Sequence, residues 1–252
     1  MAITWQGWGL TDIGRVRTVN QDTFRLHPDL SVWVVADGMG GHAGGEVASR
    51  LAIETIGPYI ALHQERLNTP NVESRKSLLK DSLVATNQAI RTHARQHPAF
   101  SSMGTTAVVL HISGSSSHDA TIAHVGDSRA YRIQDQAIIQ LTRDHSLVEE
   151  RIDLGIITRE EASTHPLRNV LTKGLGIESV VEPSAQTTSL LPMDKILLCS
   201  DGLTKMLTDD EILTIIRQNQ HSMKEACQLL IDRANQLGGQ DNITVVLVSS
   251  DH

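Results

Sequence analysis

Aromatic rings are scarce in this chain: Trp, Tyr and Phe together make up 3% of its 252 residues. Nucleic-acid binding normally needs rings for base stacking and basic patches for phosphates, and a formal charge of -7 offers little of either, so nucleic acid is disfavoured as a partner. An acidic protein can still bind phosphate locally if metal ions supply the positive charge. Cysteine is scarcer still. Cys199 and Cys227 lie in a strand-like and a helix-like segment and form neither a disulfide framework nor a zinc pattern, which fits a reducing, cytoplasmic setting. No apolar run approaches the roughly 20 residues of a membrane span, and residues 1–8 lack the basic-then-apolar order of a signal peptide, so no membrane association is expected. A Pro/Ser/Gly-rich linker is also missing. Low complexity is confined to 115–117, no repeat is found, and one domain over 1–252 is expected.

What the chain has is a recurring carboxylate. The apolar run 32–36 ends in Asp37-Gly38, and the run 196–200 ends in Asp201-Gly202. Asp127 follows the run 121–126, and Asp241-Asn242 precedes the run 243–248. An ionised Asp beside a buried strand is costly unless it is hydrogen-bonded, paired or bound to a cation. These strand-end aspartates suggest one shared cation site, and the lack of a Cys/His set favours Mg²⁺ or Mn²⁺ over zinc. The competing reading is that Asp-Gly is a common turn dipeptide. Its weight falls because the arrangement recurs and because Asp37 leads into a glycine-dense loop that carries His42.

Strands are expected at 4–10, 24–26, 32–36, 104–112, 120–125, 128–133, 137–141, 195–200 and 243–249. Helices are expected after residue 45, where Gly57-Pro58 should kink or split the element, and at 77–96, 209–217 and 223–237. The tightly joined strands between 104 and 141 should run antiparallel, and the polar region 142–176 shows short helical patterns without a strand signal. Strands cluster rather than alternate with helices, which favours α+β with antiparallel sheets over a doubly wound fold.

Seven stretches then line up: Arg17-Thr18-Val19-Asn20-Gln21-Asp22, Val35-Ala36-Asp37-Gly38-Met39-Gly40-Gly41-His42, Met103-Gly104-Thr105-Thr106, His124-Val125-Gly126-Asp127-Ser128-Arg129, Thr142-Arg143-Asp144-His145, Leu198-Cys199-Ser200-Asp201-Gly202-Leu203 and Gly239-Gln240-Asp241-Asn242-Ile243-Thr244. In this order they resemble the metal-dependent protein phosphatases of type 2C, the PPM class, in their short stand-alone bacterial form. The resemblance implies an α+β fold, a sandwich of two antiparallel β-sheets flanked by α-helices on both sides in four αββα layers, with 146–176 as a flap. It implies that Asp37 bridges two Mg²⁺ or Mn²⁺ ions and that the Gly38 carbonyl binds the second. Asp201 and Asp241 would complete the first ion's protein ligands. Asp22 would hold that ion's waters without touching it, and Asp127 with Asp201 would take a third metal. The substrates would be phosphoproteins carrying phosphoserine or phosphothreonine, a small signalling protein among them, and the enzyme a monomer; phosphotyrosine stays open.

The residue types suit that chemistry. Two metals about 3.5 to 4 Å apart lower the pKa of a bridging water and aim it at phosphorus. Arg17 has the planar fork that grips two phosphate oxygens, and His42 is suited to protonating the departing oxygen. The duller readings make Arg17 a solvated charge and His42 a loop histidine. His93 and His97 are four apart on an expected helix but lack a third ligand, so a solvated face is the better reading. His145 and His165, in the flap region, have substrate contact and local hydrogen bonding as alternatives, and His165 is carried forward as a substrate-binding candidate. Lys205 stands where many relatives of the resembled family carry an acidic or small polar residue; it is expected to change surface charge without touching a metal ligand. Two other functions compete, a pseudophosphatase acting as a binding module and a two-metal phosphodiesterase. The full set of ligand candidates argues against the first, and the acidic balance with few rings against the second.

Overall fold

The run 32–36 is apolar at every position, and neighbouring strand residues face opposite ways, so this segment has to be covered on both sides. The computed structural model, which describes residues 4–40, 44–114 and 118–250, shows how. β1 (Trp5–Asp12), β2 (Asp22–His27) and β3 (Val32–Met39) precede the helices α1 (Gly44–Leu62) and α2 (Val72–Gln96). β4 (Gly104–Thr105), β5 (Ala107–Ile112), β6 (Asp119–Val125), β7 (Arg129–Ile133) and β8 (Ile138–Gln140) follow. α3 (Leu147–Asp153), α4 (Arg159–Thr164), β9 (Ser184–Ser189), β10 (Lys195–Cys199), α5 (Asp201–Thr204), α6 (Asp209–Gln218), α7 (Met223–Gln236) and β11 (Ile243–Ser250) complete the order.

Two antiparallel sheets result. One runs β1-β11-β10-β7-β8, the other β2-β3-β5-β6-β9 with β4 beside β3. Alternation along the strands sorts side chains into three apolar interfaces. From β3, Val32, Val34 and Ala36 pack under α1 and α2, while Trp33 and Val35 point between the sheets. From β11, Val246 and Val248 meet them there, while Val245 and Leu247 pack under α6 and α7. Each large aliphatic side chain buried in this way contributes about 1.5–3 kcal/mol. The αββα layering expected from the resemblance is therefore present.

Several local expectations need correcting. β6 and β7 do not pair; they belong to different sheets, and Gly126-Asp127-Ser128 carries the chain from one to the other. Tight spacing alone does not distinguish a hairpin from a sheet crossing. α1 is not split at Gly57-Pro58 but runs unbroken from Gly44 to Leu62. The hydrogen bond that Pro58 cannot make would go to Glu54 on the exposed face, where water can replace it. α2 begins at Val72 rather than 77 because the Asn71 side chain accepts from the backbone N–H groups of Glu73 and Ser74, capping a polar first turn without an apolar stripe. β9 and α5 were not anticipated. The sequence of β9, Ser-Ala-Gln-Thr-Thr-Ser, has no apolar alternation because it is a polar edge strand, paired among the described residues with β6 alone.

The polar segment after β8 holds α3 and α4 and is closed at its neck. Leu147 N–H donates to Val170 O and Thr172 N–H to His145 O, each at 2.9 Å. Ser146 and Thr158 cap α3 and α4, Thr158 in a capping box with Glu161.

Leu110, fully buried between the sheets, tests the layering. Leu110→Ala should cost about 2–5 kcal/mol in urea denaturation with an unchanged m value. A loss below about 1 kcal/mol would mean that the two sheets do not close on this side chain.

Candidate metal centre

Backbone geometry delivers each strand-end carboxylate to the same end of the sandwich. Asp22 on β2 lies directly opposite Asp37 on β3 in antiparallel register, a placement in which like charges repel. Asp201 follows β10 by two residues and opens α5, while Asp241 lies just before the neighbouring β11. Asp127 sits on the crossing between the sheets. Asp127, Asp201 and Asp241 line a cleft of about 720 Å³ together with Arg17, Lys205 and residues of α3 and α4. Asp22, Asp37 and Gly38 are not on its wall; Asp22 and Gly38 are buried and Asp37 is half-buried.

Small polar residues hold this arrangement. The Asp37 carbonyl accepts from Thr106 N–H and from Thr105 Oγ1, each at 2.8 Å, and Asp37 N–H donates to Thr106 Oγ1 at 3.2 Å. Ser200 Oγ donates to Asp22 Oδ2 at 2.7 Å and accepts from Thr244 N–H at 2.9 Å, joining the two sheets. Asn242 Oδ1 accepts from Gln21 N–H at 2.8 Å, and its Nδ2 donates to Ile13 O and Val19 O at 2.9 and 3.0 Å. Three bonds from one side chain thus pin the loop that carries Arg17. A Cβ on Gly38 would lie 2.1 Å from Gly45 O, so only glycine lets the chain return this closely.

The sheet crossing is clamped from behind. Gly126, at φ +99°, donates its N–H to His145 Nδ1 at 3.2 Å and accepts from His145 N–H at 3.0 Å. His145 Nε2 meets Ser184 Oγ at 2.9 Å, and the ring stacks on His124 with centroids 4.7 Å apart. Burial, then His124 and Lys173, push the His145 pKa down to about 3, so the ring is neutral and can accept from Gly126. Arg129 grips Asp144 through Nε at 2.9 Å and Nη2 at 2.8 Å, fixing the far side of Asp127.

The carboxylates disturb one another. Burial raises Asp37 well above its ordinary value, and Asp22, Asp201, Asp127 and Asp241 raise it further. Burial, then Asp201 and Asp144, push Asp127 up to about 7. Asp22 stands at about 6, where burial outweighs the hydrogen bonds from Ser200 and Thr244. Burial also raises Asp201, despite the lowering effect of Lys205. Asp22 Oδ1 and Asp201 Oδ1 are buried without a hydrogen-bond partner. Unpartnered oxygens within an all-oxygen, repelling set fit a hard divalent cation such as Mg²⁺ or Mn²⁺. Among the described residues no three Asp, Glu, His or Cys side chains close into a finished ligand set. Side-chain cations reach other oxygens of the set. Arg17 bonds Asp241 through Nε to Oδ1 and Nη2 to Oδ2, each at 2.9 Å. Lys205 Nζ pairs with Asp201 Oδ2 and lies 3.6 Å from Asp241 Oδ2.

That last contact corrects the expectation for Lys205, which does touch ligand candidates. Its place four residues after Asp201 on a helical turn was the available signal. His165 lies at the end of α4 and is not on the cleft wall; its Nδ1 accepts from Leu167 N–H at 3.0 Å and its Nε2 lies 2.9 Å from Arg151 Nη1, the local-bonding alternative. His93 and His97 stack on each other at 4.2 Å on half-buried and exposed positions of the α2 end, and neither lines the cleft. His42 lies outside the described residues. Ser200, Thr244, Asn242 and His145 received no positioning role from the sequence, because their partners come from other strands.

The family described as Protein phosphatase 2C matches residues 14–241 of this chain. A serine/threonine phosphatase, stp, of Listeria monocytogenes serovar 1/2a is 37% identical over 244 residues, covering 96% of this chain and 94% of that protein. The crystal structure of the Mycobacterium tuberculosis serine/threonine phosphatase PstP/Ppp superposes with a TM-score of 0.87 at 33% identity, over 99% of this chain and 100% of that one. A catalytic domain of the serine/threonine protein phosphatase PstP in complex with two manganese ions gives 0.82 at 30% identity, over 99% and 100%.

Crowded carboxyls make a pH prediction. Asp22 and Asp127 have folded pKa values of about 6 and about 7, above the ordinary carboxyl value of about 3.9. Their contribution to stability is complete below about pH 4 and is lost as pH rises through about 7. Chelator-treated protein should therefore melt at a lower temperature at pH 8 than at pH 5, and Mn²⁺ should recover the stability lost at pH 8. A melting temperature that is flat between those pH values and indifferent to Mn²⁺ would remove the electrostatic account.

Proposed function

The chain belongs to the protein phosphatase 2C family, and from that membership we propose how its own residues divide the work. It is a metal-dependent protein serine/threonine phosphatase that acts on phosphoproteins with Mg²⁺ or Mn²⁺. The observation that carries the assignment of roles is that Asp127, Asp201 and Asp241 share one cleft wall, and that Asp37, off that wall, is near enough to them and to Asp22 for their charges to raise its pKa. Asp37, Asp201, Asp241 and the Gly38 carbonyl would hold two ions, Asp127 with Asp201 would hold a third, and Asp22, which accepts from Ser200 Oγ, would hold the first ion's waters without touching the ion. The bound ions supply positive charge and an activated water for attack on a phosphomonoester.

Arg17 presents its guanidinium at the cleft, half exposed, with one edge on Asp241. Its Nη1 edge has no protein partner among the described residues, which leaves two N–H groups to grip phosphate oxygens and hold the ester in line. His42, five residues after Asp37 in the sequence, donates a proton to the departing serine or threonine oxygen. The segment 146–176 forms a flap over the cleft within a single phosphatase domain spanning 1–252. The protein works as a monomer in the cytoplasm, the compartment being supported by two buried, free cysteines. Its substrates include a small signalling protein.

Hydrolysis of a phosphothreonine peptide should require Mn²⁺ or Mg²⁺, and Asp37→Asn should lower kcat by a factor on the order of 10² to 10³ with the fold intact by circular dichroism. Near-normal turnover at micromolar Mn²⁺ would remove Asp37 from the metal centre.

The leaving group separates the other two roles. His42→Ala should lower kcat on phosphopeptides by a factor on the order of 10² and far less on p-nitrophenyl phosphate, whose leaving group departs without a proton. Arg17→Ala should raise KM on both and weaken inhibition by inorganic phosphate. Equal losses on both esters would take the general-acid role from His42, and unaltered phosphate inhibition would take the phosphate contact from Arg17.

A further inference from the structure

The acidic cleft contains a cation that belongs to the chain itself. Lys205 stands one residue past α5, four after Asp201, and its stem is folded against the cleft so that its side chain is only 27% exposed. Its Nζ pairs with Asp201 Oδ2 and reaches Asp241 Oδ2 at 3.6 Å. The other Asp201 oxygen, Oδ1, is buried with no hydrogen-bond partner, so Lys205 satisfies half of this carboxylate and leaves the rest unsolvated. Arg17 does not duplicate the contact; it bonds Asp241 alone, from a half-exposed position on the opposite loop.

An ammonium and a divalent ion drawn to the same carboxylates repel each other, and in a partly buried site that repulsion is weakly screened. Lys205 cannot replace a divalent ion, since one charge on three tetrahedral donors does not neutralise several carboxylates at once. It lowers the repulsion among them when no metal is bound and opposes the metal's arrival. Resting on the reading of Asp201 and Asp241 as ligands, we propose that Lys205 is a built-in counter-cation that competes with divalent metal for these two carboxylates. It holds metal affinity below what the carboxylates alone would give and keeps the cleft intact when metal is scarce.

The test is calorimetric titration of Mn²⁺ into chelator-treated wild type, Lys205→Met, Lys205→Gln, Lys205→Arg and Asp201→Asn, with melting temperatures in chelator and in saturating Mn²⁺. Removing the charge in Lys205→Met should tighten the strongest Mn²⁺ site by about tenfold. It should also lower the melting temperature in chelator at neutral pH, and the gap should close in Mn²⁺. Lys205→Gln repeats both measurements with a polar side chain in case the Met variant folds poorly, and Lys205→Arg should stay close to wild type. Unchanged or weaker Mn²⁺ binding in the charge-removing variants, with Asp201→Asn still losing metal, overturns the role of Lys205 alone. Unimpaired Mn²⁺ binding in Asp201→Asn instead brings down the ligand assignment on which the proposal stands.

Discussion

Repulsion among carboxylates is the constraint around which the rest of this molecule is arranged. Asp22 and Asp37 face each other across one sheet, and Asp201 and Asp241 come from adjacent strands of the other. Asp127 lies on the connection between them. Burial and mutual charge raise Asp37, Asp127 and Asp22 together, so the cluster is unfavourable by itself and needs positive charge from elsewhere. Within the chain that charge comes from Arg17 and Lys205. In a metal-dependent phosphatase the same unfavourable energy becomes affinity for divalent ions, which relieve it on binding.

Holding the cluster requires a scaffold stiffer than the forces that would spread it. Two apolar sheets packed face to face, each covered by helices, give the strand ends fixed positions. Single hydroxyl and amide groups then lock individual backbone atoms: Thr105 and Thr106 on Asp37, Ser200 on Asp22, Asn242 on the Arg17 loop. These bonds are buried or partly buried, where a lost partner costs more than the bond itself contributes. The neutral His145 ring does the same for the Gly126 turn. Because the neck of the α3–α4 segment begins at His145 and Ser146, the piece that lines one side of the cleft and the turn that carries Asp127 share one anchor.

Much of this was legible in the chain. A strand that is apolar at every position from 32 to 36 has to be sandwiched, and an aspartate at its end has to be compensated; both follow from local physics without knowledge of neighbours. Strand ends recurring in Asp therefore announced a charged site, and the order of the motifs announced the family. Where local physics was ambiguous the reading slipped. Pro58 promised a break but sits on the exposed face of α1, and β9 carries no apolar period because it is an edge strand.

What tertiary structure alone decided is which of those residues meet. Gly126-Asp127 reads as a hairpin turn, yet it moves the chain between sheets, and no local rule separates the two outcomes, since the choice depends on where β10 waits to pair with β7. Lys205 reads as a surface charge until folding sets Asp241, 36 positions away (241 - 205), beside its i-4 neighbour Asp201. Composition and periodicity determine which side chains must be buried or compensated, because those costs belong to the residue. The identity of the compensating partner is set by the packing of distant strands, because a pairwise interaction has no magnitude until the fold fixes its distance and its dielectric surroundings.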